Sequence, residues 1–233
     1  MLINIISKIF VDNNYNVVKI DNELSGYEVF LAMPVNKKRQ EFFLLLEHIA
    51  PSNEILKSLI KNEADTLFNL LSASEYSDET FRKNCTMILC CKSINILPDS
   101  ILAVEEDPYN FKKNVITYSQ PELQSWESNI IDSLSVDALN ALINGEKGEL
   151  FRRFKKENRS NDYYSLLMKI VTKIPIVHYM TTEKDLYDLD AEIKKNLTES
   201  DRKILDFIIG IDLGKPEDEI EKTLLGDWTI GHE

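Results

Sequence analysis

The stretch Ile101–Lys113, ILAVEEDPYNFKK, decides how the chain is divided. Its first four residues, Ile101-Leu102-Ala103-Val104, are a short apolar run and read as a buried strand. Three acids follow, Glu105, Glu106 and Asp107, and then Pro108. Pro108 suits the first turn of a helix, with Asp107 as its N-cap. Tyr109 and Phe111 lie two residues apart, so a single short helix cannot turn both toward one core. Phe111, with no hydroxyl to satisfy, is expected inside, and Lys112 and Lys113 are expected to face out. Carboxylates at a strand end can also hold Mg²⁺ when another carboxylate joins them. Capping and dipole complementarity account for the triplet without such a partner.

Upstream, the apolar residues of Leu2–Phe10 recur with helical spacing and leave Asn4, Ser7 and Lys8 on a wet face. Residues 15–20 (YNVVKI), 27–33 (YEVFLAM) and 41–49 (EFFLLLEHI) read as three strands, with Gly26 supplying a positive-φ turn between the first two. Pro51-Ser52 opens a long amphipathic helix carrying Ile55, Leu56, Leu59, Ile60, Leu67, Leu70 and Leu71. Ser77-Asp78 caps a short helix. Residues 86–91, TMILCC, are continuously apolar and predict a strand covered on both faces. Residues 113–118, KNVITY, predict another short element closing this half.

After Ser119-Gln120-Pro121 strand alternation stops. Helical spacing runs over 122–142 with an interruption at 133–137, and helices are expected at 149–156, 162–174, 182–196, 200–209 and 216–225. The fold class expected is α+β: an N-terminal α/β layer with a mixed sheet, followed by an all-helical C-terminal half. The expected domains are 1–120 and 121–233. The second is the more acidic, with a net charge of −8 against −4.

With 233 residues and 43% hydrophobic content, the chain can bury a sizeable core. A net charge of −12 argues against a broad, non-specific DNA footprint, because a phosphate backbone repels such a surface. Cys85, Cys90 and Cys91 lie in one apolar segment, unlike a secreted disulfide framework, so a reduced, cytoplasmic protein is expected. No signal-peptide leader is read in MLINIISKIF, and no apolar run approaches the roughly 20 residues of a membrane span.

The order helix, three strands, helix, strand is also that of restriction-endonuclease-like nucleases. Their second strand carries an acid and their third an acid-x-Lys that together hold Mg²⁺. Glu28 and Glu47 occupy such places, but no lysine lies two residues after Glu47. A degenerate or unusual nuclease of this type is therefore the alternative reading. Cys90 and His178 sit in apolar surroundings and read as a core thiol and a core histidine. Nucleotide-binding glycine loops and the hydrolase nucleophile elbow are missing, so no catalytic, cofactor-binding or metal-ligating residue is assigned. Two basic clusters remain as candidate partner-binding residues. Lys37, Lys38 and Arg39 lie in the loop joining the second and third strands. Arg152, Arg153, Lys155 and Lys156, with Arg159 beyond them, flank Phe151 and Phe154.

The central stretch in its setting resembles a known family. An N-terminal helix, a Tyr/Phe-rich hairpin, a long helix and the element Glu105-Glu106-Asp107-Pro108-Tyr109-Asn110-Phe111-Lys112-Lys113-Asn114-Val115, with Tyr118 beyond, are similar to the middle components of ABC-three-component, Lamassu-like antiphage systems. The resemblance covers residues 1–125. It implies a non-enzymatic subunit without cofactors, in a bacterial defence complex with an SMC-like ABC ATPase and an effector such as a nuclease. DNA contact would then come through the complex, and catalysis would belong to the partners.

Overall fold

The computed structural model describes residues 1–130, 133–157, 161–180, 193 and 195–209. Five strands form one sheet in the order β1 (Tyr15–Lys19), β2 (Tyr27–Pro34), β3 (Phe42–His48), β4 (Cys85–Lys92) and β5 (Lys112–Tyr118). β1, β2 and β3 are an antiparallel meander, whereas β4 runs parallel to β3 and β5 parallel to β4. The sheet is mixed because the first connections are short loops and the later ones are helical crossovers.

Helices cover both faces, which is why β3 and β4 are continuously apolar. Val29, Leu31, Leu44, Leu46, Met87 and Leu89 pack beneath α2 (Asn53–Ser58), α3 (Ala64–Ser72) and Val104. A π-helical turn, Leu59–Glu63, joins α2 to α3. The Ser52 side chain accepts from Ile55 N at the start of α2, as expected of Pro51-Ser52. The short helix α4 (Phe81–Asn84) precedes β4, and Asp78 Oδ1 accepts from the amides of Thr80 and Phe81 before it. Gly26 has φ +82, and a Cβ there would lie 2.7 Å from His48 Nε2.

On the other face, Ala32, Phe43, Leu45, Ile88, Cys90 and Ile116 meet α1 (Leu2–Asp12), α6 (Gln120–Asn129), α7 (Val136–Ile143) and α9 (Tyr163–Lys173). Ser119, Ser135 and Asp162 cap α6, α7 and α9. A 3₁₀ turn, Gly145–Gly148, leads into α8 (Glu149–Glu157).

The break expected near residue 120 is not a break in packing. Leu123, Trp126, Leu134, Leu139, Leu166 and Ile170 share one core with Ile3, Ile6 and Phe10. Asn13 bonds Leu134 O and Val136 N, and Lys173 pairs with Glu105. The first compact unit runs from Met1 to Met180 and the second from Thr181 to Glu233. The change of secondary structure at 120 is not a change of core, because a sheet covered on both faces needs helices from both halves. In the second unit the structure describes α10 (Glu199–Ile209), the helix expected at 200–209. The helices expected at 182–196 and 216–225 fall largely or wholly outside the described residues. Helices dominate after β5, and the chain is α+β.

The central stretch departs from expectation. Residues 101–104 belong to a helix, α5 (Pro98–Glu106), with Pro98 in its first turn. Asp107 stands at its C-terminal end, and Pro108 follows as a stop signal. Four apolar residues have no period of their own. Val104 is buried and Ile101 packs beside it, three apart on one helical face, while Leu102 is half exposed.

Candidate functional site

The acids of the central stretch serve the fold. Glu105 grips the Lys173 ammonium through both oxygens, at 2.6 and 2.8 Å, and accepts from Val115 N at 2.8 Å. It thereby ties α5, the edge strand β5 and α9 together. Asp107 Oδ2 lies 2.6 Å from Lys113 Nζ. Lys113 does not face out: its side chain is fully buried, and its ammonium also reaches the carbonyls of Asp107, Tyr109 and Phe111 at 3.3, 2.6 and 3.1 Å. Asn110 takes φ +64 as the backbone turns those carbonyls inward. Phe111 is buried against Phe68, ring centroids 5.2 Å apart, and Tyr109 is exposed, as expected of that pair. Glu106 is exposed.

Glu47, the acid considered for a nuclease centre, lies opposite Glu28 across β2 and β3 and is itself buried. Its carboxylate accepts from Ile3 N at 2.8 Å, closing the first turn of α1, and from the Tyr118 hydroxyl. Burial, then the bond to Glu47, pushes the Tyr118 phenol up. Glu47→Ala orphans two buried donors, so it is expected to destabilise the protein by about 2–4 kcal/mol in urea denaturation. A loss under about 1 kcal/mol would show that Glu47 is not the N-terminal anchor of α1. Cys85, Cys90 and Cys91 are buried free thiols. Burial pushes all three up, Cys91 to about 11, which removes them as ready nucleophiles. Among the described residues, no three His, Cys, Asp or Glu side chains form a set that could hold a metal ion.

The open chemistry lies at the opposite end of the sheet, where β3, β4 and β5 begin. A cleft of about 670 Å³ is lined there by Arg39, Arg82, Lys83, Lys112 and His178, with Glu41 the single acid. A neighbouring hollow of about 490 Å³ runs toward Tyr15 and shares Arg39, Ile176 and His178, so the two form one trough. Arg39 is held at 3.4 Å from the Tyr15 hydroxyl and 3.7 Å from Glu41. The Arg82 guanidinium sits over the Phe68 ring, 5.6 Å from its centre. No ion pair engages Arg82, Lys83 or Lys112 among the described residues. His178 is exposed in this trough, not a core residue, because Val177 takes the buried position beside it.

Of the basic residues singled out in the sequence and described in the structure, Arg39 alone lines the trough; Lys37 and Lys38 are exposed on the same loop. Arg152 and Arg153 pair with Glu149 and Asp162, and Lys155 lies over the Phe151 ring, so the α8 cluster forms a separate face. Arg159 lies outside the described residues. Arg82, Lys83 and Lys112 were missed because each is at most a pair or a singlet in sequence. Only parallel pairing of β3, β4 and β5 brings their N-terminal ends side by side.

Residues 41–142 match the family model of the ABC-three component (ABC-3C) system Middle Component 1. The resemblance seen in the sequence thus holds over a segment that begins after the β2–β3 loop, runs past the central stretch and ends in α7. The matched segment includes the Glu47 anchor, the Asp107–Lys113 pair and part of the trough: Glu41, Arg82, Lys83, Asn110 and Lys112. Arg39 and His178 lie outside it. No curated protein matches the chain. No helix among the described residues is long and apolar enough to cross a membrane.

Proposed function

We propose that this chain is a non-enzymatic subunit of an ABC-three-component antiphage complex of the Lamassu-like kind. It bridges an SMC-like ABC ATPase and an effector such as a nuclease, and works in the cytoplasm. The observation that carries the reading, beside the family match, is the use of the acids a catalytic centre would need. Glu47 anchors α1 and Tyr118, Glu105 holds Lys173, and Asp107 holds Lys113. A carboxylate spent on buried amides and ammonium groups is a poor metal ligand or general base. The open cleft among the described residues is instead a charged trough fit for contact.

Two measurements test this. The tagged chain, co-expressed with the ATPase and effector of its own system, is expected to elute with both, and omitting it is expected to separate effector from ATPase. Unchanged association of those two without it would overturn the bridging role. Incubated with linear and circular DNA in Mg²⁺ or Mn²⁺, the isolated chain is expected to leave both intact. Cleavage lost in Glu28→Ala or Glu47→Ala would make it a nuclease.

A further inference from the structure

We infer that the trough below β3, β4 and β5 is a docking site for an acidic, extended peptide segment of a partner protein; this rests on reading the chain as a subunit of a complex. Charge is the first argument. On a chain of net charge −12, Arg39, Arg82, Lys83 and Lys112 converge on one cleft beside His178, with only Glu41 against them among the described residues. Glu41 is already shared between Arg39 and the Tyr15 hydroxyl. Concentrated positive charge in a concave, low-dielectric setting attracts an anion more strongly than the same charges on a convex surface. Two of the cations are held in place before any ligand arrives: Arg39 by Tyr15 and Glu41, Arg82 by the face of Phe68.

The rest of the lining distinguishes a polypeptide from a nucleic acid. Single strands are held by stacking bases on aromatic rings. Among the described residues the 670 Å³ cleft is lined by no Phe, Tyr or Trp, its one ring being the His178 imidazole, and Tyr15, at the far end of the hollow, is buried. A duplex would have to overcome the field of a strongly acidic chain along many phosphates, whereas a peptide brings only a few carboxylates. Gln40, Asn84 and Asn110 also line the cleft, and no hydrogen bond engages their side-chain amides among the described residues. An amide offers both a donor and an acceptor. A peptide backbone answers both, but a phosphodiester backbone answers only the donor. Pro175 and Ile176 supply an apolar wall for side-chain stems.

The central stretch contributes directly. Asp107, Phe111 and Lys113 turn inward and fix the loop, leaving Asn110 and Lys112 presented to the trough. Arg82 rests on the same Phe68 ring that Phe111 packs against. One element therefore both locks the fold and supplies contact groups.

The test uses the full chain and three labelled probes in fluorescence anisotropy at low and at physiological salt: a twelve-residue Glu/Gly/Ser peptide, a twelve-nucleotide oligo-dT and a short DNA duplex. The peptide is expected to bind most tightly and to weaken with salt. Arg82→Glu/Lys83→Glu/Lys112→Glu, all at exposed positions, is expected to weaken it by about tenfold or more, since three charge pairs become repulsive. Arg152→Glu/Lys155→Glu/Lys156→Glu on α8 makes the same change of net charge and is expected to leave peptide binding within about twofold. No measurable peptide binding, equal losses in both triple variants, or tighter binding of either nucleic acid would overturn the proposal. Co-purification of the native chain with its ATPase and effector is scored separately. If the native chain and the Arg82/Lys83/Lys112 variant both assemble equally well, the subunit reading stands and the trough proposal falls. If neither assembles, the subunit reading falls and the anisotropy still reports on the trough.

Discussion

Asp107→Ala is expected to lower the free energy of unfolding by about 3–5 kcal/mol, the range for removing one partner of a buried ion pair. The Lys113 side chain has no solvent exposure, and among the described residues Asp107 supplies the only negative charge that reaches its ammonium. Three backbone carbonyls would remain around Nζ, but they carry no net charge and cannot replace water for a desolvated cation. Lys113→Met, which keeps the stem and removes the charge, is expected to be less harmful. The double variant Asp107→Ala/Lys113→Met is expected to recover part of the loss seen in Asp107→Ala alone. Urea denaturation of the four proteins, with the slope against denaturant compared, measures the coupling. Additive losses would mean that the pair does not act as a unit, and a loss below about 1 kcal/mol in Asp107→Ala would mean that the ammonium finds water.

Phe111→Ala is expected to cost about 3–5 kcal/mol as well, through a cavity between the sheet and α3. Phe111 is 2% exposed and meets Phe68 edge-on, and Phe68 in turn packs near Phe81. These rings lie under α3 and α4, which backbone atoms alone cannot bring down to fill the space. Tyr109→Ala, two residues earlier and 71% exposed, is expected to change stability by no more than about 0.5 kcal/mol. The contrast is the check: comparable losses at the two positions would place both rings in the core and contradict the geometry. Phe111→Leu, which keeps most of the volume, is expected to fall between them.

These effects explain why a short motif marks this segment so clearly. In Glu105-Glu106-Asp107-Pro108-Tyr109-Asn110-Phe111-Lys112-Lys113, three side chains have a task set by a partner outside their own turn: Glu105 by Lys173, Asp107 by Lys113, Phe111 by Phe68. The residues were legible as important, but their tasks were not. Asp107 before Pro108 satisfies the local pattern of a helix start, yet Pro98 had already started the helix. Proline is acceptable both in a first turn and just past an end, so local chemistry alone left the direction open.

Four of the five strands were legible at nearly their observed bounds, β5 only as a short element, and residues 101–104, with the apolar run of a strand, are helical. Also legible were Gly26, the Ser52 cap, the split between α6 and α7, and the buried character of the cysteines. These are properties of neighbouring residues: period, capping hydroxyls and turn dihedrals act over a few positions. The site was much less legible. Arg39 was found because it sits in a run of three basic residues. Arg82, Lys83, Lys112 and His178 come from four separate places in the chain, and their convergence depends on which strands pair and in which direction.

By itself, then, the sequence determined the class of the fold, four of the strands, most of the described helices and the likeness to a middle component, because all of these follow from local pattern or a contiguous motif. The tertiary structure decided that residues 121–180 complete the same core as the sheet, that Lys113 is a buried cation, that Glu47 anchors a helix, and that scattered basic residues share one trough. The others depend on groups brought together across tens of residues, and Lys113, whose partners are local, on the burial that packing imposes, where burial sets the strength of a charge and pairing direction sets its neighbours.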